Sequence, residues 1–531
     1  MTRSRRVVAV TFVVAALAAA AAASAQPAGV PFAFTVSTPD PASHQFHVRL
    51  ECTDLPPGDT VEFRMPAWTP GYYGLFDFAG NVRDVAASDA GGAPLPVAKT
   101  GPNAWTVQRK GAGGTMLSYR VVATSPFVAN AFLDETRGYI LPSALFFYVP
   151  GQLRRPAAVT IELPPGWNDV ATGLEPVAGR ARTFAAADFD VLYDSPILLG
   201  NLESLPAFEI DGVPHRFVGH ALGAFDRVEF MEDLRAVVEA GVRVIGHIPY
   251  TRYTFLGIGP GRGGIEHANS AAVSFSGIGA DRAGRLRTLS FLAHEYFHHY
   301  NVKRIRPIEL GPFDYDRPNV TDMLWVSEGF TVYYEYLMMA RSGRMTPGEF
   351  LEALARTIGA CEDNPGKAFQ AATESSRNTW TQGPFGGTGG GIRKTISYYD
   401  KGAVVGLLLD LRIRHQTGNA RSLDTVMRAL YERYYRTLNR GWTGEEFRRV
   451  CEEVAGGSLR EIFEYASTTH PVNYAKYLGY AGLRLEPPKP LKAAERAGEA
   501  TGPRAWRVTP APNATPRQRT ILAGLTGAPA R

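Results

Sequence analysis

Cysteine is scarce in this chain of 531 residues, which contains only Cys52, Cys361 and Cys451. The three lie far apart, and no pair has the short spacing that is typical of a cysteine metal site. One pair could form a disulfide in an exported protein, but the spacing does not suggest a disulfide scaffold. We therefore expect three buried free thiols.

A strong charge of either sign is also absent. The chain has 56 lysines and arginines against 51 aspartates and glutamates, for a formal net charge of +5. This small excess gives no reason to expect nucleic acid or an anionic membrane as a partner. The glycine-rich run 257–261 lacks the spacing of a phosphate-binding loop, so a nucleotide site is not expected there either.

Long apolar runs are missing except at the N-terminus, where one extends from Val7 to about Ala22. Basic residues precede this run and small residues follow it, which is typical of an export signal cleaved after residue 25. A membrane anchor is the alternative, but the run is alanine-rich and a stable span needs about 20 strongly apolar residues. We therefore predict a signal peptide at 1–25, a periplasmic or secreted location, and no stable membrane span.

A metal-binding pattern stands out among what is present, Ala-His-Glu-Tyr-Phe-His at 293–298. His294 and His298 are four residues apart, so on a helix both rings leave one face and can reach one ion. Glu295 lies beside them and can act as the general base toward a water at the metal. His299 points about 100° away from His298 and is not expected to bind the same ion. The alternative is an amphipathic helix with two surface histidines.

Glu328 is the candidate for a third ligand, in a segment that has a helical pattern. A catalytic zinc site needs three protein ligands and keeps a fourth position for water. A solvated helix carboxylate is the alternative, but the apolar surroundings of Glu328 argue against it because a lone buried carboxylate is costly. The pattern predicts one zinc ion, Zn2+, per chain, held by His294, His298 and Glu328.

The distribution of residues predicts several domains. Short alternating runs separated by Pro/Gly turns fill the N-terminal third and favour a β-sandwich. Helical patterns dominate after residue 285, with segments at 347–361, 398–415, 422–436 and 443–466. After Glu486 the chain is rich in Pro, Ala, Arg and Gly, which predicts disorder. The predicted organisation is a signal peptide 1–25, an N-terminal β domain 26–205, an α+β catalytic domain 206–415, a C-terminal helical region 416–486 and a disordered tail 487–531.

Four separated stretches carry a family resemblance. HEYFHHYNVKRIRPIELGPFDY (294–315) resembles the glycyl aminopeptidase family of zinc metallopeptidases, which are gluzincins. MPAWTPGYYGLFDFAGNV (65–82) resembles the N-terminal domain of that family, GGIEHANS (263–270) its substrate-anchoring strand, and SYYDKGAVVGLLLDLRIR (397–414) its helix with a catalytic tyrosine. The resemblance implies a thermolysin-like catalytic domain. The family usually ends in a PDZ domain, and we expect none here because the stretch after Glu486 is too short.

The resemblance also implies roles for residues outside the metal pattern. The backbone of Gly263 and Gly264 would pair with the substrate, and Glu266 would hold its free α-ammonium through a charge-assisted hydrogen bond. Tyr399 would donate a hydrogen bond to the oxyanion of the tetrahedral intermediate, and its neighbour Tyr398 could be confused with it. The alternatives are a turn with a surface acid for Glu266 and a core tyrosine for Tyr399.

The basic residues Lys303, Arg304 and Arg306 follow the metal pattern. They could meet a substrate carboxylate or pair with Asp314 and Asp316. Surface pairing is the commoner outcome, so we leave these residues out of the predicted site.

The sequence thus predicts an exported zinc aminopeptidase that acts on peptides with a free N-terminus, and the resemblance implies a preference for N-terminal glycine or alanine. One alternative is a zinc endopeptidase with the same site, in which Glu266 is structural. Another is a catalytically idle peptide-binding homologue, which would lack a ligand or the base, whereas all of these residues are present. The sequence does not predict the oligomeric state.

Overall fold

The computed structural model describes residues 30–109, 111, 113–385, 394–488 and 505–527. The predicted signal peptide therefore lies outside the described residues. One hydrophobic core fills the N-terminal β-rich part and another fills the catalytic and helical part of the chain.

The N-terminal part is built from strands that bury one face. In the first two strands every second residue is buried, as expected when one face of a sheet packs on a core and the other meets water. Two short helices, α1 (Pro142–Leu145) and α2 (Phe189–Tyr193), interrupt the strands. The strands are β1 (Phe32–Ser37), β2 (Gln45–Cys52), β3 (Thr60–Arg64), β4 (Val82–Asp89), β5 (Pro94–Leu95), β6 (Val97–Lys99), β7 (Ala104–Gln108), β8 (Thr115–Val122), β9 (Phe132–Leu133), β10 (Arg137–Ile140), β11 (Ala157–Glu162), β12 (Asp169–Thr172), β13 (Glu175–Pro176), β14 (Thr183–Ala186), β15 (Ile197–Gly200) and β16 (Glu203–Ser204).

All of these strands except β16 form one large sheet and two smaller ones that share its core. The 8-stranded sheet has the order β13-β14-β11-β1-β2-β8-β4-β5, beside a 4-stranded sheet β12-β15-β10-β9 and a 3-stranded sheet β3-β7-β6. Phe34 and Leu50 of the large sheet lie in the same buried cluster as Tyr139 and Leu198 of the 4-stranded sheet. The predicted N-terminal β-sandwich is confirmed.

A mixed sheet opens the catalytic part. Its order is β16-β18-β19-β21-β20, with β17 paired to β18. The pairs β18–β19 and β19–β21 are parallel, whereas β20 runs antiparallel to β21 at the edge of the sheet. An edge strand offers unpaired backbone groups to another extended chain. The new strands are β17 (Phe208–Ile210), β18 (Val213–Gly219), β19 (Tyr253–Gly257), β20 (Gly264–Glu266) and β21 (Ser270–Val273).

Helices dominate the chain after this sheet, which confirms the predicted α+β domain with C-terminal helices. The helix that begins at Pro347 starts as predicted, because Thr346 and Glu349 form a capping box there. The helices are α3 (Arg227–Ile245), α4 (Arg282–Phe297), α5 (Leu324–Ser327), α6 (Gly329–Arg341), α7 (Pro347–Glu362), α8 (Ala372–Arg377), α9 (Thr379–Gln382), α10 (Tyr398–Gln416), α11 (Leu423–Leu430), α12 (Gly444–Ala455), α13 (Arg460–Ser467) and α14 (Tyr474–Gly479).

Helices α4, α6 and α10 pack together at the centre of this part and bury a common core. The three cysteines are buried free thiols, as predicted. Within the described ranges, no helix is both long and apolar enough to cross a membrane.

The prediction of a disordered tail at 487–531 is wrong for part of that segment. Strand β23 (Arg507–Pro510) pairs with β22 (Leu483–Glu486), and helix α15 (Pro516–Thr526) comes after it. The reason is that a few apolar residues among the Pro, Ala and Arg suffice to dock the segment: Ile521 and Leu525 are fully buried. Residues 489–504 and 528–531 lie outside the described part of the chain.

Candidate active site

Helix α4 brings the two histidines of the metal pattern onto one face. It starts at a capped end, where the side chain of Asp281 accepts a hydrogen bond from the backbone N–H of Gly284. His298 comes directly after the last helical residue but keeps a helical backbone, so the four-residue spacing from His294 still aligns both rings. Both side chains are buried.

Glu328 completes a cluster of three candidate ligands. It lies at the junction of α5 and α6, where the chain changes direction beside α4. Nε2 of His298 is 3.0 Å from Nε2 of His294 and 3.1 Å from Oε2 of Glu328, and the third side of the triangle is 3.5 Å. Ligands about 2.0–2.1 Å from a tetrahedral zinc ion lie about 3.3 Å from one another. The three side chains therefore fit one zinc ion and leave a fourth position open.

The outer nitrogens of both histidines are held by neighbouring groups. Nδ1 of His294 donates to the carboxylate of Glu335 across 2.9 Å, and that carboxylate also accepts from the hydroxyl of Ser290. Nδ1 of His298 donates to the backbone carbonyl of Asn301 across 2.7 Å. These bonds leave Nε2 of each ring free to bind a metal, which is how metal-binding histidines are usually oriented. Sequence reasoning missed Glu335 and Asn301.

Glu295 lies buried next to the backbone of the edge strand β20. A Cβ atom added to Gly264 would lie 2.5 Å from Oε1 of Glu295, so a larger residue here would displace this carboxylate. Burial raises the pKa of Glu295 to about 7, against the opposing effect of His294 and His298. A divalent cation on those histidines would lower this pKa again, because it favours the charged carboxylate.

Glu266 lies at the other end of β20 and points to the same side of the strand as Gly264, two residues earlier. Its side chain is buried, and Oε1 accepts no hydrogen bond from any described residue. The ammonium of Lys303 approaches this oxygen only to 3.7 Å. Gly71 also lies close to this carboxylate, because a Cβ added to it would be 3.0 Å from Oε2 of Glu266. The glycine leaves room beside the carboxylate.

Tyr399, on the first turn of α10, faces the metal cluster. Its ring centroid lies 6.1 Å from that of His294. Burial raises the pKa of the Tyr399 hydroxyl, and Glu328 adds to the effect, so this phenol is protonated and can donate a hydrogen bond. Tyr398 is fully buried, and its hydroxyl lies 3.1 Å from Oγ1 of Thr379.

Two family models match this chain. The model of the peptidase M61 N-terminal domain matches residues 33–201, and the model of the M61 glycyl aminopeptidase matches residues 287–405. The chain belongs to the M61 glycyl aminopeptidase family. It is therefore a metallopeptidase, and the second match spans the metal cluster, Glu295 and Tyr399.

Two solved structures are similar to this chain. An aminopeptidase N family protein from Idiomarina loihiensis is 27% identical to this M61 chain, with a TM-score of 0.80 over 86% of this chain and 80% of that one. An M1 zinc metallopeptidase from Deinococcus radiodurans, 14% identical, has a TM-score of 0.50 over 83% of this chain and 94% of that one. The latter likeness shows the fold alone. A search of curated proteins finds no match.

The expectation that Lys303 pairs at the surface with Asp314 or Asp316 is wrong. Lys303 is largely buried, and its ammonium lies 2.8 Å from Oδ1 of Asp194, which belongs to the N-terminal β domain of this M61 chain. The chain just after helix α4 is buried rather than exposed, as Asn301, Val302 and Ile305 show. Lys303 therefore lies beside the candidate site, next to Glu266.

Arg304 and Arg306 also differ from the expectation of surface pairs. Arg304 is buried and donates to the backbone carbonyls of Ala268 and His299 across 2.9 and 2.6 Å. Arg306 lies near Asp190: burial lowers the pKa of its guanidinium, and Asp190 opposes that shift. His299 is not one of the three grouped candidate ligands among the described residues.

The N-terminal domain supplies one aromatic residue to the site that sequence reasoning did not single out. Tyr73 packs against Trp380 at a centroid distance of 6.1 Å. Burial raises the pKa of the Tyr73 hydroxyl, and the nearby carboxylates of Glu328 and Glu266 raise it further. Tyr73 lies in the stretch 65–82. The family resemblance of that stretch indicated the N-terminal domain as a whole and did not indicate this residue.

Proposed function

We propose that this chain is a zinc aminopeptidase that removes N-terminal residues from peptides, with the zinc held by His294, His298 and Glu328. The observation that carries the proposal is the buried oxygen Oε1 of Glu266, which has no hydrogen-bond donor among the described residues. A buried carboxylate is costly without a cation. The α-ammonium of a peptide is such a cation, and it can form a strong charge-assisted bond with Glu266.

The proposed reaction uses zinc and two side chains, Glu295 and Tyr399. Zinc, when bound, supplies a Lewis acid that polarises a carbonyl group and lowers the pKa of a water molecule. Glu295 takes a proton from the attacking water and later delivers it to the leaving amine. Tyr399 donates a hydrogen bond to the oxyanion of the tetrahedral intermediate, which lowers the barrier because that charge develops in the transition state and is absent from the bound substrate.

The edge strand β20 would set where the peptide is cut. An extended peptide can pair with the backbone at Gly263 and Gly264, as peptides do when they add a strand to a sheet edge. Glu266 would then bind the N-terminus of the peptide and so limit cleavage to the bond after the first residue. A peptide with a blocked N-terminus leaves the buried carboxylate unpaired and is rejected.

The finer predictions from the sequence complete this proposal. The preferred N-terminal residues are glycine and alanine, and the signal peptide at 1–25 directs export to the periplasm or beyond. The chain divides into an N-terminal domain ending near residue 205, a catalytic domain at 206–415 and a helical region at 416–486.

A panel of aminoacyl amides tests the function. We expect hydrolysis of glycyl and alanyl amides that stops after metal removal by a chelator and returns on adding zinc. N-acetylated forms of the same amides should be poor substrates.

Glu266→Ala should cost roughly 2 to 5 kcal/mol in kcat/KM for the free amines and leave the N-acetyl forms as poor as before. Glu266→Gln should recover part of this loss.

The exposed residue Glu352 on α7 provides the matched control. Glu352→Ala should behave as the unchanged protein with both substrate forms. Equal cleavage of free and N-acetylated amides by the unchanged protein would remove the anchoring role of Glu266 and favour the endopeptidase. A zinc-loaded protein that hydrolyses neither form of any amide would favour the idle homologue.

A further inference from the structure

The ammonium group of Lys303 lies between two buried carboxylates. It is 2.8 Å from Oδ1 of Asp194 and 3.7 Å from Oε1 of Glu266. The three side chains expose 10%, 15% and 4% of their surface, respectively, so water screens these charges weakly. Lys303 therefore forms a direct ion pair with Asp194 and leaves a gap to Glu266.

Asp194 is held in place by two further donors from the segment just after Glu266. Its Oδ2 accepts from the backbone N–H of Ala268 at 2.8 Å, and Nδ1 of His267 donates to Oδ1 at 3.1 Å. Burial by itself raises the pKa of Asp194, but Lys303 and His267 outweigh burial and hold it at about 2. Asp194 is therefore a charged anchor that fixes both the lysine and the end of the edge strand.

Two carboxylates and one ammonium give this group a net charge of −1. The ion pair between Asp194 and Lys303 is neutral, and Glu266 contributes a charge that no cation among the described residues meets at hydrogen-bond distance. We propose that Asp194 holds the ammonium of Lys303 away from Glu266 and thereby keeps Glu266 available to the α-ammonium of a peptide. Asp194 is then a positioning residue for the selectivity toward free amines, and Lys303 is the ammonium group that it holds back. This inference rests on the anchoring role of Glu266 proposed above.

Removing the charge of Asp194 should turn Lys303 into an internal competitor of the substrate. In Asp194→Asn the amide keeps the shape of the side chain but no longer neutralises the ammonium. Lys303 needs to move only about 1 Å to pair directly with Glu266, because ion pairs of this kind are about 2.7–2.9 Å long. We expect KM for glycyl and alanyl amides to rise about 10-fold or more, with kcat and zinc content nearly unchanged.

A double variant separates this role from a structural one. Asp194→Asn with Lys303→Met removes the competitor and leaves the same single negative charge on Glu266. KM should return to within about 3-fold of the unchanged protein. If Asp194 only stabilised the fold, the second substitution would add damage instead of reversing it. Lys303→Met alone should not raise KM, since Lys303 has no substrate contact in this proposal.

The measurement is therefore KM and kcat for alanyl amide and its N-acetyl form in the full-length zinc-loaded proteins. A KM for Asp194→Asn within 2-fold of the unchanged protein overturns the proposal, and so does a double variant no better than the single one. Should Asp194→Asn fail to fold, Lys303→Met still decides, because a 10-fold rise in its KM contradicts the proposal. Failure of the proposed function itself looks different: the unchanged protein would then cleave both substrate forms equally well.

Discussion

Nδ1 of His294 donates a hydrogen bond to the carboxylate of Glu335 across 2.9 Å. This bond turns Nε2 of the same ring toward His298 and Glu328, and the negative charge of Glu335 increases the basicity of the imidazole. The proposed metal site thus depends on a carboxylate that would not touch the metal.

Glu335→Ala should weaken zinc binding about 10- to 100-fold, because His294 loses the group that orients it. Competition with a chromogenic chelator measures the affinity. Glu352→Ala, an exposed glutamate on α7, is the control and should bind zinc as the unchanged protein does. An unaltered affinity in Glu335→Ala would show that packing alone orients the ring.

Tyr399→Phe should lower kcat about 100- to 1000-fold with little change in KM, because the phenol acts on charge that exists only in the transition state. Tyr398→Phe is the matched control, since its hydroxyl bonds to Thr379 inside the core. It should affect stability more than turnover. A change in Tyr399→Phe that is confined to KM would instead assign Tyr399 to substrate packing.

Asp316 joins the two domains by accepting hydrogen bonds from Arg64, Asn103 and Tyr148. Asp316→Asn should lower the free energy of unfolding by about 2 kcal/mol at neutral pH, because the charged acceptor is lost. Urea unfolding of the variant and of the unchanged protein measures the difference.

The pH dependence of that difference has a definite sign. Burial raises the pKa of Asp316, but the bonds from Tyr148, Asn103 and Arg64 outweigh it and lower the pKa below 3.8. A carboxylate with a lowered pKa stabilises the fold above its unfolded-state pKa and loses that effect as pH falls through the folded-state pKa. The difference should be constant from pH 7 to about pH 5 and shrink below pH 4. Growth of the difference toward acid pH would contradict this assignment.

Helix α15 should contribute measurably to stability, in contrast with the expectation of a disordered tail. Leu525→Ala and Ile521→Ala each remove a fully buried side chain and should cost about 2 to 5 kcal/mol. Leu522 on the same helix is only partly buried, so Leu522→Ala should cost less. Thermal unfolding midpoints rank the three variants, and three equal values near that of the unchanged protein would mean that the helix is not docked.

The metal cluster could be predicted from the sequence because its information is local. The spacing of His294 and His298 follows from the pitch of one helix, and the apolar neighbours of Glu328 indicated its burial. Glu335 could also have been predicted. It lies seven residues after Glu328, which is two helical turns, so the two side chains share one face of the helix.

The ion pair between Asp194 and Lys303 could not be predicted in this way. It joins residues 109 positions apart in two domains, and only the docking of these domains brings them together. The ordered end of the chain was missed for another reason. Composition indicated disorder, whereas the capping box of Thr515 and Gln518 before Ile521 and Leu525 marks a helix start that composition does not register.

The central claim is that one zinc ion and one general base carry out peptide hydrolysis at this site. The most direct measurement is zinc content and turnover of alanyl amide in Glu295→Gln beside the unchanged protein. The amide keeps the shape of Glu295 but cannot accept a proton, so we predict one zinc per chain in both proteins and turnover reduced at least about 100-fold in the variant. Turnover within a few-fold of the unchanged protein, or full activity of the unchanged protein without any metal, would contradict the account.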